Sequence, residues 1–475
     1  MIAHDEVFIQ GRWRPAVGTD SIEVVNPADE QVIATVPAGS AADVDAAVDA
    51  ARSALPGWAA TAPARRAALL TALSDELAAR QDEMAALITA EVGTTIGFSR
   101  RVQAGLPVTV TRLHAELVAD FAFEEQVGNS LVLLEPVGVV GAITPWNYPL
   151  HQIVCKVVPA LAAGCTVVLK PAELTPLSAQ MFTECVAAAG FPEGVFNLVT
   201  GTGTQAGEAL VRHPGVDMIS FTGSTAVGKH IGAVAGAAVK PVALELGGKS
   251  ANVILPGADL ARAVRANVAD VLRNAGQSCN ALTRTLVCAD DYEEAVRIAV
   301  KEIADCRPGD PADPECRLGP VVSGAQRERV RDHIRQGLAE GARLVAGGPE
   351  APEGLDQGYY IRPTVFADVT ADMSLAREEI FGPVLSFMKY EDEEEALRLA
   401  NDSDYGLAGS VWAADEQQAI AFARAMQCGQ VTVNGGAYNP LAPFGGYRQS
   451  GVGRELGTHG LREFLQTKSL QLSPR

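Results

Sequence analysis

Three residues in this chain have neighbours that suit them to carbonyl chemistry. Cys279 sits in Gly276-Gln277-Ser278-Cys279-Asn280, beyond a helix-patterned stretch expected to end near Ala275, which places the thiol on a turn. Only the thiolate attacks carbonyls, and an unperturbed thiol is roughly 3% ionised at pH 7. The group therefore needs a base, a dipole or a cation beside it. A single cysteine is more often an inert apolar filler. None of the 7 histidines forms a recognisable cysteine–histidine signature with it. Glu245 follows Pro241-Val242-Ala243-Leu244, an acid within an apolar strand-like run. Burial would raise its proton affinity and fit it for general base work, whereas a strand-edge position would leave it facing solvent. Asn147, in Thr144-Pro145-Trp146-Asn147-Tyr148-Pro149, follows a strongly apolar run. Its carboxamide could donate to an oxyanion, although asparagine in a proline-flanked turn is also ordinary turn chemistry.

Two glycine-rich segments could receive a phosphate. Residues 200–206 match G-x-G-x-x-G/A after an apolar run, but Phe221 stands where a ribose-binding acid would be needed. That segment is expected to be an ordinary strand-to-helix turn. Residues 223–229 match the Walker A pattern as far as Lys229, but His230 occupies the place of the Ser or Thr that must ligate Mg²⁺. This argues against a P-loop NTPase. The alternatives are a helix N-terminus that receives an anion through free N–H groups, and a plain turn.

The elements that must position these groups follow from hydrophobic periodicity. Residues 7–37 read as a β-rich lead-in, and Ser40 with Asp43 fits a helix capping box. An Ala-rich helical region then runs to about 118, with breaks expected near Pro56 and Trp58 and at Gly93. From about 131, strand-like runs (131–134, 138–143, 166–169, 196–199, 217–220) alternate with helical ones (150–163, 176–189, 204–211, 226–237). A second series has strands near 251–255, 284–288, 384–389 and 408–412, and helices near 260–275, 292–305, 323–340, 393–400 and 415–426. Strand–helix alternation of this kind predicts two α/β units built on parallel sheets, joined near Gly247 and Gly248.

Composition narrows the function classes. With 475 residues, 48% apolar and 20% charged, the chain is an ordinary globular protein of two or three domains. A net charge of −19 repels phosphate backbones and anionic lipid, so neither nucleic-acid nor membrane partners are expected. The 8 cysteines form no CxxC pair and no zinc spacing, so no metal is expected. The N-terminus has acids where a signal peptide would carry Lys or Arg. Together these features point to a reduced, cytoplasmic setting.

Seven motifs occur in a fixed order: Ile143-Thr144-Pro145-Trp146-Asn147, Lys170-Pro171-Ala172-Glu173, Phe221-Thr222-Gly223-Ser224, Glu245-Leu246-Gly247-Gly248, Gly276-Gln277-Ser278-Cys279, Glu378-Glu379-Ile380-Phe381 and Pro443-Phe444-Gly445-Gly446. In this the chain resembles the NAD(P)-dependent, non-phosphorylating aldehyde dehydrogenase superfamily, over essentially its whole length to the tail Gly453-Arg454-Glu455.

The resemblance implies a Rossmann-like dinucleotide-binding domain (1–117 and 137–247), an α/β catalytic domain (248–461) and a small β oligomerisation arm (118–136 and 462–475), assembled as a homodimer or homotetramer. It implies that Cys279 attacks an aldehyde to form a thiohemiacetal, with the oxyanion held by Asn147 and the Cys279 N–H. Hydride loss then gives a thioester, which Glu245 hydrolyses through water. Relatives that pass the acyl group to coenzyme A generally lack this acid, so a free carboxylic acid is the expected product, with a coenzyme A-acylating semialdehyde dehydrogenase as the alternative. Lys156 and Glu455 resemble a proton-relay pair. Lys170 and Glu173 match the adenosine-ribose pair, favouring NAD over NADP. Gly223 and Ser224 match the pyrophosphate contact. Thr144, Pro145 and Trp146 lie beside the cofactor, and Glu379 and Phe381 match its nicotinamide end. No arginine is visibly placed to grip a substrate carboxylate, so an apolar or aromatic aldehyde is expected.

Overall fold

Five parallel strands form the centre of the first sheet in the computed structural model, which describes residues 5–473. In spatial order they are Phe196–Leu198, Thr166–Lys170, Val139–Ile143, Met218–Thr222 and Val242–Glu245. In chain order this reads 3-2-1-4-5, the dinucleotide-binding arrangement, which reverses direction between Val139–Ile143 and Met218–Thr222. The central strands are buried on both faces, which is why they are continuous β-branched runs rather than alternating ones. Glu6–Ile9 and Arg12–Pro15 add antiparallel strands at one edge. At the other edge Gly451–Val452 pairs antiparallel with Val242–Glu245, placing Gly451 opposite Glu245.

The helix Pro149–Ala163 is almost wholly buried, because it runs between this sheet and the helices Pro63–Ala79 and Gly105–Asp120. The capping box at Ser40 is present: Asp43 accepts from the Ser40 N–H at 2.8 Å. The break expected near Pro56 and Trp58 is not. Pro56 lies inside the helix Ala41–Ala59, and the chain breaks only at 60–62. A proline in the last turn forfeits a single ladder bond, and the Ala60 N–H still closes onto the Pro56 carbonyl at 3.3 Å. Gly93 does end a helix, Gln81–Val92, in the left-handed region at φ +83°. The expected helix at 204–211 is instead a π-turn, Gly203–Gly207, followed by Glu208–Arg212.

The second sheet has six parallel strands in the order Thr364–Ala367, Val384–Tyr390, Arg284–Cys288, Ala251–Ile254, Ala408–Trp412 and Gln430–Val433. Arg343–Ala346 pairs antiparallel at one edge. Arg343–Ala346, Thr364–Ala367 and Gln430–Val433 lie outside the expected runs. Each is only 4 residues long, and Arg343–Ala346 and Gln430–Val433 are edge strands that carry polar residues and are incompletely buried.

A three-stranded antiparallel sheet joins Glu124–Val127, Ser130–Pro136 and Leu465–Gln471, with Leu465–Gln471 exposed along one edge. Ser21–Val25 and Val32–Pro37 form a separate hairpin. Among the described residues no helix is long and apolar enough to cross a membrane, and no cluster of His, Cys, Asp and Glu could hold a metal ion.

Candidate active site

In an open α/β sheet the ligand crevice forms beyond the carboxyl ends of the strands, where strand order reverses. Residues 144–148 leave Val139–Ile143 at that point, and residues 223–225 leave Met218–Thr222. Between these segments and the second α/β unit lies a cleft lined by Pro145, Trp146, Asn147, Gly223, Ser224, Cys279, Glu379 and Phe381.

The turn that presents Cys279 is strained and heavily tied. The preceding helix ends at Leu272, earlier than its periodicity suggests. Asn274, Ala275 and Gly276 then follow in the left-handed region at φ 52°, 55° and 75°. Such conformations cost non-glycine residues of order 1 kcal/mol each and persist only where surrounding contacts enforce them. Here Asn274 Nδ2 donates to the Asn147 carbonyl at 2.9 Å and to the Gln277 carbonyl at 3.2 Å. Gln277 Nε2 donates to the Asn274 carbonyl at 3.0 Å, and Gln277 Oε1 accepts from the Val322 N–H at 2.9 Å. A β-carbon on Gly276 would collide with the Gly382 carbonyl, so that position requires glycine.

Asn147 is fixed in the same network. Its Nδ2 donates to the Gln277 carbonyl at 3.0 Å, and its own carbonyl accepts from Gln103 Nε2 at 2.8 Å. A carboxamide nitrogen carries two hydrogens, so one remains for an oxyanion forming at Cys279. The Tyr148 hydroxyl bonds Ser278 Oγ at 2.6 Å, adding a second tie beside Cys279.

Glu245 contrasts with this turn. It ends the strand Val242–Glu245, is 4% exposed, and neither carboxylate oxygen has a hydrogen-bond partner among the described residues. It does not line the cleft. A β-carbon on Gly445 would lie 2.6 Å from Glu245 Oε1, so the carboxylate is set back against that glycine. Burial, reinforced by Glu455, raises its proton affinity well above an ordinary carboxylate's, while Lys156 and Arg454 pull the other way. Behind it, buried Lys156 Nζ donates to Thr222 Oγ1 at 2.6 Å and pairs with Glu455. Burial also raises the Cys279 pKa, and Glu379, Glu245 and Glu455 add to the shift. The resting thiol is therefore neutral and depends on a proton acceptor.

The dinucleotide-binding features lie along the same sheet edge. Gly223 precedes the helix Thr225–Ala237, whose N-cap Ser224 Oγ accepts from the Val227 N–H at 3.4 Å. A β-carbon on Gly223 would lie 2.5 Å from the Phe221 ring, so a backbone cradle exists there only because the residue is glycine. Lys170 is buried at the end of its strand and reaches the half-exposed Glu173 at 3.4 Å. Glu379 Oε1 accepts from the Gly248 N–H at 3.1 Å, and burial pushes the Glu379 pKa up to about 7. Trp146 and Phe381 meet edge to face at 5.3 Å. The Thr144 hydroxyl is buried and unpartnered. An anion-binding helix N-terminus, ribose-type acceptors at both ends and an aromatic wall fit a dinucleotide. The 200–206 segment follows Phe196–Leu198, the outermost of the five parallel strands and separated from Val139–Ile143 by Thr166–Lys170, and its Thr202 caps the Gln205 N–H.

Several contributors carry no clear sequence signal. Gln103 lies in a π-helical turn, Ser99–Ala104, far along the chain from Asn147. Lys249 is buried, its Nζ is unpartnered, and burial lowers its pKa to about 7. Gln277 and Ser278 stood next to the cysteine, but their roles as ties depend on contacts that sequence does not display.

The model of the aldehyde dehydrogenase family matches residues 13–470. A 3-succinoylsemialdehyde-pyridine dehydrogenase from a Pseudomonas species is 46% identical over 98% of both chains. Among solved structures, a mutant of aldehyde dehydrogenase C from Pseudomonas syringae, complexed with NAD+ and octanal, superposes with a TM-score of 0.98 at 46% identity, covering 99% of this chain and 97% of its own. A Mycobacterium tuberculosis aldehyde dehydrogenase complexed with NAD+ gives 0.97 at 44%, covering 99% and 98%. By these matches the chain belongs to the aldehyde dehydrogenase family and is an oxidoreductase that acts on aldehydes.

Proposed function

We propose that the protein oxidises an aldehyde to the free carboxylic acid with NAD as hydride acceptor, using Cys279 as nucleophile. The observation that carries this is the thiol and the Asn147 carboxamide facing one cleft and joined by one hydrogen-bond network, with the acid Glu245 buried outside the cleft lining. Cys279 loses its proton to Glu245, directly or through water, and its sulfur bonds to the aldehyde carbon. The carbonyl oxygen becomes an alkoxide held by Asn147 Nδ2 and the Cys279 N–H, and losing one such donor costs roughly 2.7–4 kcal/mol of transition-state stabilisation. When bound, NAD accepts the hydride and its two electrons. The carbon left on sulfur is then a thioester. Glu245 takes a proton from water, the hydroxide adds to the thioester, the C–S bond breaks and the acid departs. Lys156 and Glu455 pass the proton onward from Glu245.

Lys170 and Glu173 would hold the adenosine ribose, Gly223 and Ser224 the pyrophosphate, and Glu379, Phe381, Thr144, Pro145 and Trp146 the nicotinamide end. A carboxylate at Glu173 repels a 2′-phosphate, which favours NAD over NADP. The presence of Glu245 favours hydrolysis over transfer to coenzyme A. The chain divides into a dinucleotide-binding domain, a catalytic domain and a β arm. The exposed edge of Leu465–Gln471 suits pairing with a second copy in a homodimer or homotetramer. All 8 cysteines are unpaired, in keeping with a cytoplasmic setting.

The test is to mix the protein with NAD and a panel of aldehydes and follow absorbance of the reduced cofactor. Turnover without added coenzyme A supports the proposal, and a strict requirement for coenzyme A removes the hydrolytic role of Glu245.

A further inference from the structure

One polar side chain in the wall of the cleft takes no part in the chemistry above. Gln152, on the helix Pro149–Ala163, is 7% exposed and lines the cleft with Cys279, Asn147 and Thr222. Its Oε1 is buried without a hydrogen-bond partner, and its Nε2 makes no hydrogen bond among the described residues. The other acid and amide side chains of the wall are committed. Asn147 Nδ2 donates to the Gln277 carbonyl at 3.0 Å, Glu379 Oε1 accepts from the Gly248 N–H at 3.1 Å, and Gln326 Nε2 donates to the Phe381 carbonyl at 2.8 Å. A carboxamide left unpaired in a buried wall costs free energy, which a ligand group that pairs with it returns.

Position decides what that ligand group can be. Gln152 precedes Lys156 by four residues, so the two side chains share one face of the helix. Lys156 Nζ donates to Thr222 Oγ1 at 2.6 Å, which sets that face over the carboxyl end of Met218–Thr222, beside the reversal of strand order. Gly223 and Ser224 continue from the same strand end, and Cys279 shares the cleft with them. A hydride that leaves a carbon bonded to Cys279 must arrive at C4 of a nicotinamide ring, so that ring has to lie beside the thiol. The ring carries its carboxamide on C3, the adjoining atom. A carboxamide has one carbonyl and one NH2, and a second carboxamide is its complement, since each can donate to the other.

We infer that Gln152 recognises the nicotinamide carboxamide of the cofactor, accepting from its NH2 and donating to its carbonyl. This rests on the NAD-dependent oxidation proposed above. Contacts to the pyrophosphate and the riboses leave the ring free to turn about its bond to the ribose. Pairing at the carboxamide removes that rotation, so the thiol-bound carbon meets one orientation of the ring. None of the seven ordered sequence motifs includes Gln152, and its place in the wall comes from the helix that also carries Lys156.

The test titrates the protein, with no aldehyde present, with NAD, with its 3-acetylpyridine analogue and with ADP-ribose. Quenching of tryptophan fluorescence follows binding, since Trp146 lines the cleft. The acetylpyridine analogue keeps the carbonyl but carries a methyl group in place of the NH2, and so leaves Gln152 Oε1 unpaired. ADP-ribose lacks the ring. Wild type is expected to bind NAD roughly tenfold more tightly than the acetylpyridine analogue. Gln152→Met keeps the length of the side chain and loses both hydrogen bonds. There the preference should fall to near parity through weaker NAD binding, while ADP-ribose binds as in wild type. Gln152→Glu keeps an acceptor and should retain part of the preference. Wild type that binds NAD and the analogue equally overturns the inference, and that arm depends on no variant. A Gln152→Met protein that keeps the wild-type preference overturns it too, as does one that loses ADP-ribose affinity in step with NAD, because the residue then only supports the fold. If Gln152→Met binds every ligand as wild type does but stalls after one burst of reduced cofactor, Gln152 serves the hydrolytic water and the inference falls. Failure of wild type to bind NAD at all would instead remove the function on which the inference rests.

Discussion

The two groups proposed to carry the chemistry are held in opposite ways. Cys279 sits on a turn in which Asn274, Gln277, Asn147 and Gln103 form a continuous set of hydrogen bonds, and left-handed backbone at Asn274 and Ala275 is enforced by those bonds. Glu245 ends a buried strand with both oxygens unpartnered, and is held only by packing and by the charges of Lys156, Glu455 and Arg454. A nucleophile must meet a carbon at a set distance and angle, so its backbone is locked. A group that serves the thiol and later water has to reach more than one place. Hydrogen bonds to its carboxylate would fix it and lower its basicity. Burial without hydrogen-bond partners thus accounts for its raised proton affinity.

The sharpest way to break this comparison is Cys279→Ala, expected to lower turnover by roughly 10⁴-fold or more while NAD still binds. Near-normal turnover would remove the turn's assigned purpose. Next, Glu245→Gln is expected to lower steady-state turnover by roughly 10²–10⁴-fold but to release one burst of reduced cofactor, because hydride loss precedes hydrolysis. Rapid-mixing absorbance shows this, and absence of the burst would place Glu245 before hydride loss only. Asn147→Ala should cost roughly 10²–10³-fold in kcat with little change in the KM for NAD. Gln103→Leu touches no reacting atom and should cost up to roughly 10²-fold by loosening Asn147. An unchanged kcat there would show that the turn holds itself without the π-helical segment.

The smallest effect concerns Glu379, whose folded pKa is raised to about 7 by burial. Protonation below that pH removes a ribose acceptor, so the KM for NAD should rise as pH falls through about 7, and Glu379→Gln should flatten the profile. The stability effect has the opposite sense. The folded pKa exceeds the ordinary value of 4.5, so wild type loses stability as pH rises from 4.5 to about 7. The Tm of Glu379→Gln relative to wild type should climb across that window and level off above it.

Local patterns made much of this legible. The strands near 138–143, 166–169 and 217–220 stood out because burial on both faces demands unbroken apolar, β-branched residues. The edge strands Arg343–Ala346 and Gln430–Val433 did not, because an edge asks only for half of that pattern. Pro56 misled because its effect depends on how many turns of helix remain after it. The 200–206 and 223–229 glycine segments look alike in sequence. Their difference is position, since only one follows the strand beside the order reversal.

By itself, then, the sequence determined which residue types are available and in what order, and with them the family, the layered fold and the candidates Cys279, Asn147 and Glu245. Tertiary structure alone decided the electrostatics. Gln103 meets Asn147 across 44 positions, a contact no local pattern marks. Desolvation, which sets the proton affinities of Glu245, Cys279, Lys249 and Glu379, is a property of what surrounds a group.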